Sequence, residues 1–358
     1  MADDLVVLRP QGLYCPPGDF WIDPWRKVDR AVITHAHADH ARSGHGHYLA
    51  TAISAGVLRA RLGDIRLQGL AYGESVEHHG VRISLHPAGH VLGSAQVRLE
   101  HGGRVWVASG DYYLRGDAAP GEPANPTCAA FEPVRCDTFI TESTFGLPIY
   151  RWRPEAEVFA QIDAWWRAQA DIGRPCLLQA YSFGKAQRLL AGVDASIGPI
   201  VVHPTVEAIN RAYREAGIEL PVTRRMEDLS PAERGRALLV MPPSARPGLW
   251  LGDEPTALAE PAVAFASGWM QVRSARRRPG LDRGFVLSDH ADWPGLQRAI
   301  AATGCQRVIV THGQEAVMVR WLREQGLDAG SFPTPFGQDE ASDNAAHERS
   351  DHERPDPA

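Results

Sequence analysis

Over the first third of the chain, apolar and β-branched residues come in short runs. Residues 6–8, 31–34, 81–85, 96–99, 105–109 and 138–141 form such runs, with Gly, Pro or Asp between them. Runs of this length between turn residues predict strands. Beyond residue 154 the texture changes. Val158, Ile162, Trp165 and Trp166 recur at helical spacing and predict a helix over 155–169. Strand candidates at 176–180, 201–202, 238–241 and 263–265 then alternate with helical segments at 185–190 and 205–216. Alternation of strand and helix predicts a parallel α/β layer of its own. Residues 284–288 and 307–311 read as strands again, each running to a histidine motif. The pattern predicts a second domain inserted into the first, without internal repeats.

Length and composition agree. A chain of 358 residues fits two domains, or one carrying a large insertion. No run approaches the roughly 18 unbroken apolar residues of a membrane span, and the opening MADDLVVLRP does not read as a secretory leader. The five cysteines (15, 128, 136, 176 and 305) are odd in number and form no CxxC pair. This argues against a disulfide framework and a zinc knuckle, and points to a reducing cytoplasm. The net charge of −6 taken whole argues against a nucleic-acid partner, but residues 338–358 alone carry −5, leaving the rest near −1. That tail has no apolar residue beyond alanine and reads as disordered.

The chemistry concentrates in THAHADH, directly after the run at 31–33, where His35, His37, Asp39 and His40 fall within six positions. On extended backbone, residues two apart point the same way, so His35 and His37 can close on one ion while Asp39 and His40 face a second. A lone histidine is most often a surface or satisfied core residue; four ligand-type residues at one strand end are not explained that way. Imidazole and carboxylate suit zinc, manganese or iron. His90 in AGHVLGS, Asp111 in ASGDYY and His312 in VIVTHG stand at similar strand ends, and Asp111 could bridge two ions.

THAHADH, His90, Asp111 and the late His312 resemble the metallo-β-lactamase fold, an αβ/βα four-layer sandwich with a dinuclear site at one edge. FITESTFG with Glu142, LSDHAD with His290 and VIVTHGQ with His312 resemble the motifs of its β-CASP nucleases. AYSFGKAQRL and FASGWM resemble segments of their inserted α/β cap. Within that group, the compact length and the start YCPPGDFWIDPW look most like the bacterial DNA-ligase-associated exonucleases. The resemblance covers nearly the whole chain except the tail. It implies a core over 1–148 and 281–337, a β-CASP cap over 149–280 and a tail over 338–358. It implies two divalent metal ions, zinc or manganese, one held by His35, His37 and His90 and the other by Asp39, His40 and His312, with Asp111 bridging. Asp23, in FWIDPW, would hold the metal loop without being a ligand. Glu142 would orient His290 as general acid to the leaving oxygen while a hydroxide activated by both ions attacks. The implied function is a metal-dependent phosphodiesterase, foremost a DNA exonuclease in end processing or repair, with association with a DNA ligase and helicase. An RNase with the same site, a small-molecule hydrolase and a non-enzymatic scaffold are the alternatives; the present ligands argue against the last.

For the substrate, Arg273, Arg276 and Arg277, with Arg278 and Arg283, form a basic cluster, and Arg151, Trp152 and Arg153 stand beside Tyr150. Arginines attract phosphates and aromatics stack on unpaired bases, although charge runs are commonly solvated faces. Lys185 after Gly184 is a phosphate candidate at a helix start, with Ser182 as a hydroxyl partner or helix cap. Trp165 and Trp166 read as core. His45, His47, His78, His79, His86, His101 and His203 match no ligand position.

Overall fold

The computed structural model describes residues 4–114, 125–245, 260–272 and 280–336. Its strands group into sheets of six, seven and six members. The first sheet follows chain order: β1 (Val7–Arg9), β2 (Gly12–Cys15), β3 (Phe20–Ile22), β4 (Arg30–Val32), β5 (His47–Thr51) and β6 (Leu67–Leu70), with helix α1 (Ala55–Leu62) between the last two. The second opens as an antiparallel meander of β7 (Ser75–His78), β8 (Val81–Pro87), β9 (Ala95–His101) and β10 (Arg104–Ala108), to which β11 (Thr138–Ser143) adds in parallel.

Here the chain leaves for a third sheet whose pairings are all parallel. In chain order come α2 (Glu155–Ala170), β12 (Cys176–Gln179), α3 (Lys185–Gly192), β13 (Ile200–Val202), α4 (Pro204–Glu215), β14 (Thr223–Arg224), α5 (Pro231–Arg234), β15 (Leu238–Met241), β16 (Ala262–Ala266) and β17 (Arg283–Phe285). After α6 (Trp293–Thr303), β18 (Arg307–Gly313) returns to pair with β11, and α7 (Glu315–Glu324) leads to the edge strand β19 (Asp328–Ser331).

Two sheets and two sets of helices share the core around the site. Phe20, Ile22 and Val32 from the first sheet pack on Ile83, Val97, Leu99 and Ile140 from the second. The second sheet's other face, through Phe139, Val308 and Val310, covers Leu296 and Ile300 of α6 and Leu322 of α7. The first sheet's other face, through Ala31, Tyr48 and Ala50, packs on Val57 and Leu58 of α1 and on Ile209 and Tyr213 of α4. Helix α4 thus ties the inserted segment to the first sheet. Trp165 and Trp166 are buried on the third sheet, as their helical spacing predicts.

Residues 284–288, expected as a returning strand, divide. Arg283–Phe285 pairs with β16 in the third sheet, and Leu287 packs into that sheet's core, so pairing keeps the chain in the insertion as far as Phe285. Arg273, Arg276, Arg277 and the tail 338–358 lie outside the described residues. No described helix is long and apolar enough to cross a membrane.

Candidate metal centre

Three of the candidate side chains stand three residues beyond a strand: His35 after β4, His90 after β8 and Asp111 after β10, while Glu142 lies on β11 and His312 on β18. Strand ends of both packed sheets therefore meet at one place. Gly110 makes the approach possible. Its φ is +57°, and a Cβ there would lie 2.6 Å from the Thr34 side chain, so only glycine lets Asp111 turn in beside the THAHADH loop.

His35, His37, His90 and Asp111 each offer a ligand atom within 4.8 Å of the others. His35 Nε2 and His90 Nε2 each stand 3.0 Å from His37 Nδ1. Asp111 Oδ2 faces His40 Nε2 at 3.4 Å and His35 Nε2 at 3.5 Å, while its Oδ1 faces His312 Nε2 at 3.2 Å. Asp39 Oδ2 is 3.7 Å from His40 Nε2. All seven expected ligands are thus gathered around Asp111, and all but the half-buried His37 are buried.

The outer nitrogens decide whether the cluster suits cations. His37 Nε2 meets the Phe183 carbonyl at 3.2 Å, and His90 Nδ1 meets the Asp289 carbonyl at 2.7 Å. His40 Nδ1 meets Asp23 Oδ2 at 2.7 Å. The Thr34 hydroxyl donates to Asp23 Oδ2 and so accepts from His35 Nδ1; the Thr311 hydroxyl donates to the Thr141 carbonyl and so accepts from His312 Nδ1. Each outer nitrogen therefore carries the proton, and all five rings turn a lone pair inward. Lone pairs 3.0 Å apart repel unless a cation lies among them. His40 Nε2, His312 Nε2 and Asp111 Oδ1 are also buried without a hydrogen-bond partner. The donor set fits divalent metal.

Electrostatics agree. Burial, with His40 beside it, holds His35 well below the ordinary imidazole value, and burial with His290 nearby does the same to His90. Burial also pushes His40 down, but the carboxylates of Asp111 and Asp39 raise it well above that value. Burial pushes Asp111 up, yet His40 and His312 hold it well below the usual carboxylate range. The pocket thus favours neutral imidazole at His35 and His90 and a bare carboxylate at Asp111.

Asp23 sits at φ +43°, a conformation aspartate tolerates. Its carboxylate accepts from the Thr34 amide at 2.8 Å as well as from the Thr34 hydroxyl and His40. We expect Asp23→Ala to weaken metal binding about 10- to 100-fold. It should cost about 1–3 kcal/mol for each buried donor left unpaired. Calorimetric metal titration and urea unfolding check this, and unaltered metal affinity would reduce Asp23 to a structural role.

Beside the cluster, His290 Nδ1 lies 3.0 and 2.9 Å from the two oxygens of Glu142. Glu142 also accepts from the Tyr112 amide at 2.8 Å and the Thr144 hydroxyl at 2.5 Å. Asp111, Glu142 and His290 offer atoms within 4.8 Å of one another. Trp152, a stacking candidate in the sequence, donates its indole N–H to the His290 carbonyl at 2.8 Å and so braces this loop.

Lys185 is not poised for a phosphate. Its side chain is buried, with Nζ 2.9 Å from Asp289 Oδ2. Arg188, also buried, reaches Asp289 Oδ1 at 2.9 Å, pairs with Glu155 and lies over the Tyr113 ring. Ser182 shares a 3.0 Å hydroxyl contact with Thr205, and Gly184 takes the N-cap of α3. Burial pushes the Asp289 carboxyl up, but Lys185 and Arg188 outweigh this and hold it well below the usual range. A depressed folded-state pKa gives stability that is complete above the unfolded carboxyl's pKa and lost in acid, as Asp289 takes up its proton. Arg188→Met takes from Glu155 its arginine partner and leaves Asp289 with Lys185 alone, and should cost about 3–5 kcal/mol in urea unfolding. A loss near zero would show that the buried charges do not depend on it.

Thr34, Asp289, Arg188 and Phe183 escape a reading of the sequence. Each acts through a hydroxyl, a main-chain carbonyl or a partner far along the chain.

Comparison with known proteins leads to the same class as the motifs. No family model matches the chain. A protein named probable DNA ligase from Opitutus terrae is 35% identical over 322 residues, 89% of this chain and 30% of that protein. Endoribonuclease YSH1 of Yarrowia lipolytica is 26% identical over 222 residues, 53% of this chain and 26% of its own. Cleavage and polyadenylation specificity factor subunit 3 of Dictyostelium discoideum is 29% identical over 129 residues, 36% of this chain and 16% of its own. The chain spans less than a third of the length of these relatives. A protein of unknown function from Enterococcus faecalis V583 superposes with a TM-score of 0.55 at 13% identity, over 85% of this chain and 79% of that one, and so shares the fold. The chain is similar to the β-CASP nucleases of metallo-β-lactamase fold through its relatives as well as its motifs.

Proposed function

We propose that the protein is a metal-dependent phosphodiesterase acting on nucleic acid, and that its substrate is DNA, digested from an end during repair. The observation that carries this is the ring of five inward lone pairs around Asp111, set against the Glu142–His290 pair. In this reading residues 1–148 and 281–337 form the metallo-β-lactamase sandwich, except β17, which pairs in the third sheet; the two packed sheets with helices on both outer faces support it. Residues 149–280 form the β-CASP cap.

His35, His37, His90 and Asp111 would hold one divalent ion, zinc or manganese; Asp39, His40, Asp111 and His312 would hold the other. Such ions supply Lewis-acid polarisation of the phosphodiester and lower the pKa of the attacking water. The chain's own residues do the rest. Asp111 stands between the two halves, with Oδ2 facing His35, His90 and His40 and Oδ1 facing His312. Glu142 accepts from His290 Nδ1 and stabilises the doubly protonated, charged ring, which then gives its Nε2 proton to the departing alkoxide, a strongly basic leaving group, and is left neutral with the proton on Nδ1.

An RNase with the same site is the second reading, favoured by the relatives named endoribonuclease. Association with a DNA ligase belongs to the first and is supported by the relative named probable DNA ligase; association with a helicase rests on the motif resemblance alone. The deciding test incubates the full-length chain with end-labelled DNA and RNA strands of one sequence, with manganese or zinc. DNA shortened from one end supports the first reading and RNA cut in preference supports the second. If neither strand is cut with either metal, the phosphodiesterase reading fails.

A further inference from the structure

A second basic feature lies on the core, away from the arginine cluster that the sequence displays. A cavity of about 590 Å³ is lined by Trp25, Arg26, Lys27, Arg42, Ser43 and Arg61, with Ala41 and Leu62. Among the described residues, no acidic side chain lines it. Arg26, Lys27 and Arg42 are exposed, and among the described residues none of the three pairs with a carboxylate. Arg61 donates to the Ala36 carbonyl within the THAHADH loop.

This cavity adjoins the metal centre. Ala41 follows His40 directly. Trp25 meets Phe336 edge-on at 5.7 Å, and Phe336 stacks on the His40 ring at 4.3 Å. The site is also partly fixed in place. The Trp25 indole N–H donates to the Pro10 carbonyl at 3.0 Å. The Lys27 stem lies over Gly44, at φ +94°, where an added Cβ would come within 2.7 Å of it. Three exposed cations with no carboxylate partner among the described residues concentrate phosphate, and a half-buried indole held by its N–H offers a face for a base.

We infer that this cavity binds the sugar–phosphate backbone of the nucleic-acid strand as it runs to or from the metal centre, with Arg26, Lys27 and Arg42 on successive phosphates and Trp25 under a base. The inference rests on the nuclease reading and adds a path for the strand on the core side. It differs from the expectation drawn from residues 273–283, because its residues come from three separate places over 37 positions, which folding brings together.

The test compares the full-length chain with a variant carrying Arg26→Gln, Lys27→Gln and Arg42→Gln. Fluorescence anisotropy follows an end-labelled single-stranded oligonucleotide in chelator across a salt series. In parallel, manganese-dependent hydrolysis of bis(p-nitrophenyl) phosphate reports the metal centre without the strand. The variant should lose on the order of 10- to 100-fold in affinity at low salt and about 2 units of salt slope, at roughly 0.7 per phosphate contact on a single strand. Its small-diester hydrolysis should match that of the unmutated chain. Equal affinity and slope in the two proteins, with the unmutated chain binding, would overturn the cavity assignment and leave the nuclease reading standing. Failure of the unmutated chain to bind any strand would overturn both.

Discussion

Asp111→Asn should reduce turnover on a nucleic-acid strand by about a thousandfold or more, equivalent to ~4 kcal/mol at the barrier. The replacement keeps shape and buried volume but removes the charge to which four imidazoles turn. Metal content should fall with it, from about two equivalents per chain to about one or none. The circular dichroism spectrum should be unchanged, because the packed sheets do not depend on this carboxylate. Metal analysis of dialysed protein and end-labelled digestion are the measurements. Full activity with full metal content would remove Asp111 from the centre and sink the proposed reading.

His290→Ala is the second large effect, and its size should depend on the leaving group. On a polynucleotide the departing oxygen is strongly basic, and loss of the proton donor should lower kcat by about 10²–10⁴. On bis(p-nitrophenyl) phosphate the leaving nitrophenolate needs no proton, so the loss should shrink to less than about tenfold. Glu142→Gln should show the same split with smaller amplitude, since an amide oxygen still accepts from Nδ1 without stabilising the charged ring. Metal content should stay as it was. If both substrates lose activity equally, the pair only ties the insertion to the core.

How much of this could be read from the chain depends on how local the cause is. The residues of the candidate cluster could be picked out because they stand at strand ends in short motifs, and the parallel sheet because strand and helix alternate there. Short strands such as β2 and β3 were not visible, since their identity rests on partners across the sheet and not on any period of their own. Lys185 shows the limit most clearly. A lysine after glycine at a helix start reads as an anion site, yet Asp289, about a hundred positions away, takes the charge. Likewise Arg26, Lys27, Arg42 and Arg61 form no run, so composition could not reveal a basic cavity whose members folding brings together.

The pairing of Glu142 with His290 joins the two ends of the insertion, one just before it and one just after, within 3.0 Å. During synthesis the ribosome delivers His35, His37, Asp39, His40, His90 and Asp111 early, but His290 and His312 only after the whole insertion has emerged. On the proposed mechanism, a nascent chain could gather metal long before it could protonate a leaving group. Cutting would begin only once the insertion had folded and brought its ends together. The order of the chain would thus act as a safety catch, keeping an unfinished nuclease harmless to the nucleic acid around it.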